Sequence, residues 1–302
     1  MAQASSRPFV GVFTALVTPM RNDALRGPLV NEEQLAQLVE TQIEGGVDGL
    51  VACGTTGEAA TLTPDEQAQV VHRVVAQAKG RVPVLVGVGS TSTAQSVALG
   101  ERALALGAQG LLAVTPYYNK PPQEGLVQHF SALCSLGVPI VLYNVPGRTG
   151  CDLLPETVLR LCERPQIVGL KEASGNVLRM QTLSRMLGDR LVLFSGEDAL
   201  NLPLYSVGAR GTISVLSNVV PRAVVEVFRA FFAGDVLGAL ASHLRYVPLV
   251  ELLFSEANPI PTKTALHMMG QLDPVLRLPL VPMSPNGQAR LAQELSTLGL
   301  LS

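Results

Sequence analysis

The chain has 302 residues, enough for eight strand-helix units of about 250 residues in all plus one small extra element. Hydrophobic residues make up 47% and charged residues 15%, which excludes a disordered chain. The net charge of -2 offers no electrostatic footprint for nucleic acid or an anionic membrane, and leaves a small molecule as the default partner.

The first apolar run, Phe9 to Val17, follows only Arg7 and passes into Thr18-Pro19-Met20-Arg21 without a small-residue cleavage site. It reads as a buried first strand rather than a signal-peptide core. Further along, Gly46-Val47-Asp48-Gly49, Gly107-Ala108-Gln109-Gly110 and Gly208-Ala209-Arg210-Gly211 each precede a short apolar run. Each is a glycine helix stop followed by a buried strand. Other strand-like runs start at Pro83, Pro139, Ile167 and Leu191, which brings the count to eight. Helical patterns separate almost every pair, the clearest starting at Thr63-Pro64-Asp65-Glu66, a capping box with a first-turn proline.

Regular alternation of strand and helix implies a parallel sheet. Eight similar units with no GxGxxG after the first strand favour closure into an α/β (β/α)8 TIM barrel over an open doubly wound sheet. After Gly234-Asp235 the strand signal stops, and the remainder reads as helices broken at Asn258-Pro259-Ile260-Pro261 and Arg277-Leu278-Pro279-Leu280. The expected organisation is a tail over 1–8, a catalytic barrel over 9–234 and a small C-terminal helical domain over 235–302. Beyond the first strand no run reaches roughly 18 apolar residues, so no membrane span is expected. The four cysteines, Cys53, Cys134, Cys151 and Cys162, form no CxxC pair and read as reduced and mostly buried, which points to the cytoplasm.

In a barrel the chemistry sits where strands run into βα loops. Of the four lysines only Lys171 ends an apolar strand. By alternation, if Lys171 points into the barrel then Gly169 and Ile167 do too, and Glu172 faces away. An ordinary lysine amine with a pKa near ~10.4 is neutral in only about one copy in 2,500 at pH 7, so a nucleophilic lysine needs a desolvated pocket. A lysine snorkelling to solvent is the competing account. The loop Gly54-Thr55-Thr56-Gly57-Glu58 can present successive N–H groups as a nest for a carboxylate, although glycine and threonine are also ordinary turn formers. Tyr117, Tyr118 and Tyr143 fall at strand ends, where a phenol suits either a proton relay or rim packing. Arg148 offers a planar fork for a carboxylate, or for a surface ion pair. His72, His129, His243 and His267 fall in helical patterns without HxH or HExxH spacing, so no metal and no bound cofactor are expected.

Together, GTTGE, TPYYN, YNVPGRTG, GLKEASGN and SGEDA, in this order, make the chain from residue 9 to 302 resemble the dihydrodipicolinate synthase family of pyruvate-dependent Schiff-base lyases. The resemblance implies a cytoplasmic homotetramer of barrels that condenses pyruvate with aspartate semialdehyde on the route to diaminopimelate and lysine. It also implies roles for the residues. Lys171 resembles the imine-forming lysine, Tyr143 the proton donor and acceptor, and Thr55 and Tyr118 its relay partners, with Tyr118 crossing into a neighbouring subunit. Thr56 resembles the pyruvate-carboxylate site, the backbone at Gly196 and Ile213 lines the pocket, and Arg148 holds the semialdehyde carboxylate.

N-acetylneuraminate lyase and the keto-sugar-acid aldolases share the lysine, the tyrosine and the loop, but not the arginine of GRTG. A phosphate-binding barrel isomerase would meet Glu197 and Asp198 after Ser195-Gly196, where phosphate would be repelled. A non-catalytic binding module would not need lysine, tyrosine and arginine together at strand ends. Where members of the family inhibited by lysine place histidines, an asparagine and a glutamate, this chain has Pro64, Gln67, Thr91 and Gln95. Insensitivity to lysine is the expectation.

Overall fold

Helices in this chain end where glycine lets the backbone turn left-handed and re-enter as a strand. Gly46, Gly107 and Gly208 stand at φ of 84°, 91° and 118°, a region that side chains resist. The computed structural model describes residues 9–301; the expected tail over 1–8 lies outside the described residues. Its strands are β1 (Gly11–Ala15), β2 (Met20–Asp23), β3 (Gly27–Val30), β4 (Gly49–Ala52), β5 (Val84–Gly87), β6 (Gly110–Val114), β7 (Ile140–Asn144), β8 (Ile167–Glu172), β9 (Val192–Ser195) and β10 (Gly211–Ser214). β1 and β4 to β10 form a closed eight-stranded parallel barrel, sealed where β1 pairs with both β4 and β10. Helices connect the strands, so the fold is the (β/α)8 barrel expected.

Strand alternation divides the apolar residues into two layers. Phe9, Phe13, Leu85, Leu112, Val141, Phe194 and Ile213 fill the barrel interior. There Phe9 meets Phe13 edge-on at 5.9 Å and Phe13 meets Phe194 at 5.7 Å, the geometry that ring quadrupoles favour. Leu50, Leu111, Leu142 and Leu170 face outward into the layer shared with the helices.

Two details depart from the sequence reading. β2 and β3 pair as an antiparallel hairpin that was not anticipated, its turn closed by Asp23 Oδ1 accepting from the N–H groups of Leu25 and Arg26. Ile167 does not share the inward face of Lys171. The register slips between Ile140/Val141 and their partners, pairing Ile140 with Ile167 but Val141 with Gly169. The extra residue puts Val168 against the interior cluster and leaves Ile167 in the outer layer.

The capping box forms as read, with Thr63 and Glu66 exchanging hydrogen bonds at the start of the helix Pro64–Ala78. After Gly234 the long elements are the helices Val236–Leu253, Ile260–Met268 and Pro285–Thr297. Among the described helices Val236–Leu253 alone has the length and apolar content of a membrane span, with mean hydropathy 1.3 over 18 residues. It carries His243, Arg245 and Glu251, and sets Leu249, Val250, Leu252 and Leu253 into the core.

Candidate active site

The strands β7 and β8 place Tyr143 opposite Lys171 and Asn144 opposite Glu172. Alternation sends the first pair into the barrel and the second out of it. Outside, Glu172 accepts from Arg179 Nε at 2.9 Å and from Asn144 Nδ2 at 3.2 Å, and Asp152 joins both partners. That buried network pins the register which sets Tyr143 beside Lys171. Inside, Lys171 Nζ lies 4.4 Å from the centre of the Tyr143 ring, with the two residues 6% and 7% exposed. The lysine therefore sits in a largely desolvated place, and no carboxylate pairs with it among the described residues. A side chain at Gly196 would come within 3.0 Å of Lys171 Cε, so glycine there lets the β9 loop approach the amine. Phe194 packs against Gly169, two residues before the lysine. Ile213 lies buried in the interior cluster.

Glu197, weighed in the sequence only as a residue that would repel phosphate, is half-buried in the loop after β9. Burial pushes its carboxyl up, and Lys171 and Arg148 are near enough to pull it back down. Its neighbour Asp198 has a structural task, accepting at 2.8 and 2.9 Å from the N–H groups of Val215 and Leu216.

The loop after β4 is bent at two non-glycine residues of left-handed backbone, Cys53 at φ 53° and Glu58 at φ 54°. Each costs about 1–3 kcal/mol unless its surroundings hold it. Gly57 and Glu58 donate back to the carbonyls of Gly54 and Thr55, each at 3.1 Å. The N–H groups of Thr55 and Thr56 meet no acceptor among the described residues. From the C-terminal segment Asn258 Nδ2 donates to Thr56 Oγ1 at 2.9 Å, and Lys263 Nζ to Glu58 Oε1 at 2.6 Å. The backbone of Arg277 donates to the other Glu58 oxygen. Burial drives the Lys263 ammonium down from its usual range and Glu58 restores it in part.

Arg148 stands on the short helix Pro146–Thr149, exposed, and no ion pair engages it among the described residues. A cavity of about 440 Å³ opens among Thr55, Tyr117, Tyr143, Arg148, Gln95 and Asn258. Thr56, Lys171, Gly196 and Ile213 do not line it. Thr56 is tied to it through Asn258 and Lys171 through Tyr143, while Ile213 is buried in the interior cluster and Gly196 is half-buried just past β9. Tyr118 points elsewhere: it is 90% exposed at φ 70°, outside the cavity of its own chain.

The chain matches the model of the dihydrodipicolinate synthetase family over residues 8–298. It is 49% identical to a 4-hydroxy-tetrahydrodipicolinate synthase of Nitratidesulfovibrio vulgaris, covering 97% of this chain and 99% of the relative. A 4-hydroxy-tetrahydrodipicolinate synthase of Sorangium cellulosum is 50% identical over 97% of each chain. The crystal structure of a chloride-inhibited dihydrodipicolinate synthase from Acinetobacter baumannii, complexed with pyruvate, superposes with a TM-score of 0.93 at 43% identity, covering 97% and 99% of the two chains. By barrel, by strand-end residues and by near-complete likeness to these relatives, the chain belongs to the dihydrodipicolinate synthetase family.

Proposed function

We propose that this chain condenses pyruvate with L-aspartate 4-semialdehyde, the 4-hydroxy-tetrahydrodipicolinate synthase reaction, with Lys171 as nucleophile. The observation that carries the assignment is the buried amine of Lys171, 4.4 Å over Tyr143 and without a carboxylate partner. The neutral amine attacks the keto carbon of pyruvate, and loss of water leaves an imine. A methyl proton departs to give the enamine, whose terminal carbon bonds to the aldehyde of the semialdehyde. The amino group of the semialdehyde then attacks the imine carbon, closes the ring and expels Lys171 as a free amine. One water is released overall.

In this reading Tyr143 passes protons at the imine, with Thr55 and Tyr118 as its relay, since a phenol and a hydroxyl both donate and accept. Thr56 and the free N–H groups beside it take the pyruvate carboxylate, the backbone at Gly196 and Ile213 walls the pocket, and Arg148 takes the carboxylate of the semialdehyde. Tyr118 serves the site of a neighbouring subunit in a homotetramer, an assignment supported by its exposure away from its own cavity. The site of action is the cytoplasm, in keeping with four free thiols. Neither a metal nor a bound cofactor takes part in the steps above.

Borohydride reduction in the presence of pyruvate tests this: peptide mapping should find the label on Lys171. A label on another lysine, or none, would overturn the assignment. Turnover of aspartate semialdehyde in preference to sialic acid would separate this reaction from that of the sugar-acid lyases, as expected from the unpaired Arg148 in the cavity wall.

A further inference from the structure

The carboxylate loop is held by residues some two hundred positions further along the chain. Asn258 meets Thr56 across 202 positions and Lys263 meets Glu58 across 205. Asn258 is 6% exposed and lines the same cavity as Tyr143 and Arg148. A threonine hydroxyl has one proton to give and two lone pairs to offer. Asn258 Nδ2 fills one lone pair of Thr56 Oγ1 at 2.9 Å, and the amide's own oxygen accepts from Thr262 Oγ1 at 3.4 Å. The Thr56 proton then has no acceptor among the described residues and is left for a ligand. A carboxylate only accepts, so a hydroxyl fixed as donor is the polarity it needs.

We propose that Asn258 is a positioning residue for the keto-acid carboxylate: it fixes Thr56 as a hydrogen-bond donor toward the ligand, while the Lys263–Glu58 pair holds the loop that carries it. This rests on the reading that Thr56 meets the carboxylate of pyruvate. The C-terminal helical segment is thereby part of the substrate site and not only a support for the barrel. Losing the donor polarity of Thr56 weakens binding of the keto acid before the imine forms. It leaves the later carbon–carbon step, at saturating pyruvate, as it was.

Steady-state kinetics on Asn258→Ala, Asn258→Asp, Thr56→Val and the double variant Asn258→Ala/Thr56→Val test it, together with borohydride trapping of Lys171 across a pyruvate titration. Asn258→Ala should raise KM for pyruvate and the trapping midpoint by about tenfold, with kcat and the KM for semialdehyde within about twofold. Asn258→Asp, nearly isosteric, should do more, because its carboxylate takes the Thr56 proton and adds a negative charge; it carries the test if the alanine variant fails to fold. Thr56→Val should raise the same KM, and the double variant should be no worse than Thr56→Val alone, since Asn258 acts through that hydroxyl. Additive effects in the double variant, or an unchanged pyruvate KM in both Asn258 variants, would overturn the proposal while leaving the role of Thr56 intact. An unchanged KM in Thr56→Val would instead remove the reading beneath it, and the proposal with it.

Discussion

Two lysines are buried in this molecule and their surroundings are opposite. Lys263, 1% exposed, is clamped to Glu58 at 2.6 Å in the seam between the C-terminal helices and the loop after β4. Lys171, 6% exposed at the inner end of β8, faces a tyrosine ring, and the glutamate next to it in sequence is turned outward onto Arg179. A buried ammonium is tolerated when it is paired, and the pairing removes it from chemistry. The strand's two-residue period keeps Glu172 off Lys171, while the fold's long-range closure delivers Glu58 onto Lys263. One lysine is thus a strut and the other is left for a substrate.

The sharpest way to break the comparison is to exchange each lysine for methionine. Lys171→Met should lower turnover by at least about a thousandfold, since no other group can form the imine. Its thermal midpoint should hold or rise, because an apolar chain replaces a buried amine with no carboxylate partner. Substantial residual turnover would remove Lys171 from the centre of the mechanism. Lys263→Met should do the reverse. Glu58 would be left buried without its cation, keeping only the backbone N–H of Arg277, at about 3–5 kcal/mol of stability by chemical denaturation. The double variant Glu58→Gln/Lys263→Met should recover most of that loss. If the single variant proves as stable as the parent, the pair is not the strut described.

That contrast was only half legible in the sequence. Lys171 stood out because it ends an apolar strand, and the eight strands were countable because glycine stops and short apolar runs repeat along the chain. Lys263 was passed over because its partner is 205 positions away, and no local pattern joins them. Its signal was its setting, since every residue from Ile260 to Leu266 is buried and a lysine inside such a run needs an anion. The β2–β3 hairpin escaped for another reason: Arg21-Asn22-Asp23 and Pro28 carry no alternating apolar face. Ile167 was assigned the wrong face because a bulge adds one residue, and the two-residue period cannot reveal where it has slipped.

A smaller effect is expected at the rim, where Arg148 has no ion-pair partner among the described residues. Arg148→Ala should reduce kcat/KM for the semialdehyde by roughly ten- to a hundredfold, the worth of a charge-assisted contact of about 1.5–3 kcal/mol. Pyruvate-dependent borohydride trapping should be untouched. An equal loss in trapping would place Arg148 on pyruvate instead.

Acid sharpens the same seam that Lys263 closes. Hydrogen bonds from Arg277 hold the Glu66 carboxyl down at about 2, against an ordinary 4.5. Because the folded value is the lower one, its stabilisation is complete above pH ~4.5 and is lost as pH falls through that range toward ~2. Thermal midpoints of Glu66→Gln should therefore lie below those of the parent at neutral pH and converge with them near pH 2. A gap that stays constant across that window would show that the pair does not set the acid response.

The smallest expected effect is a null one, inhibition by free lysine, and it returns to the paired Glu58. The cavity wall includes Pro64, Gln67, Ser90, Gln95, Leu99 and Tyr117. Gln95 Oε1 is occupied by Ser90 Oγ at 2.6 Å, and Gln67 Nε2 by the Ala59 carbonyl at 3.0 Å. The one carboxylate in the cavity wall, among the described residues, is Glu58, and Lys263 already holds it. Glu101, the other nearby acid in sequence, is exposed on the helix Thr93–Ala105 and does not line the cavity. A lysine ammonium drawn from water into this space would lack a charged partner worth about 1.5–3 kcal/mol, or roughly ten- to a hundredfold in affinity. Initial rates should stay flat as lysine rises to about 1 mM, and half-inhibition below that level would show that an acid reaches the cavity after all. Gln95→Glu should supply the missing charge and make the rate fall within the same titration.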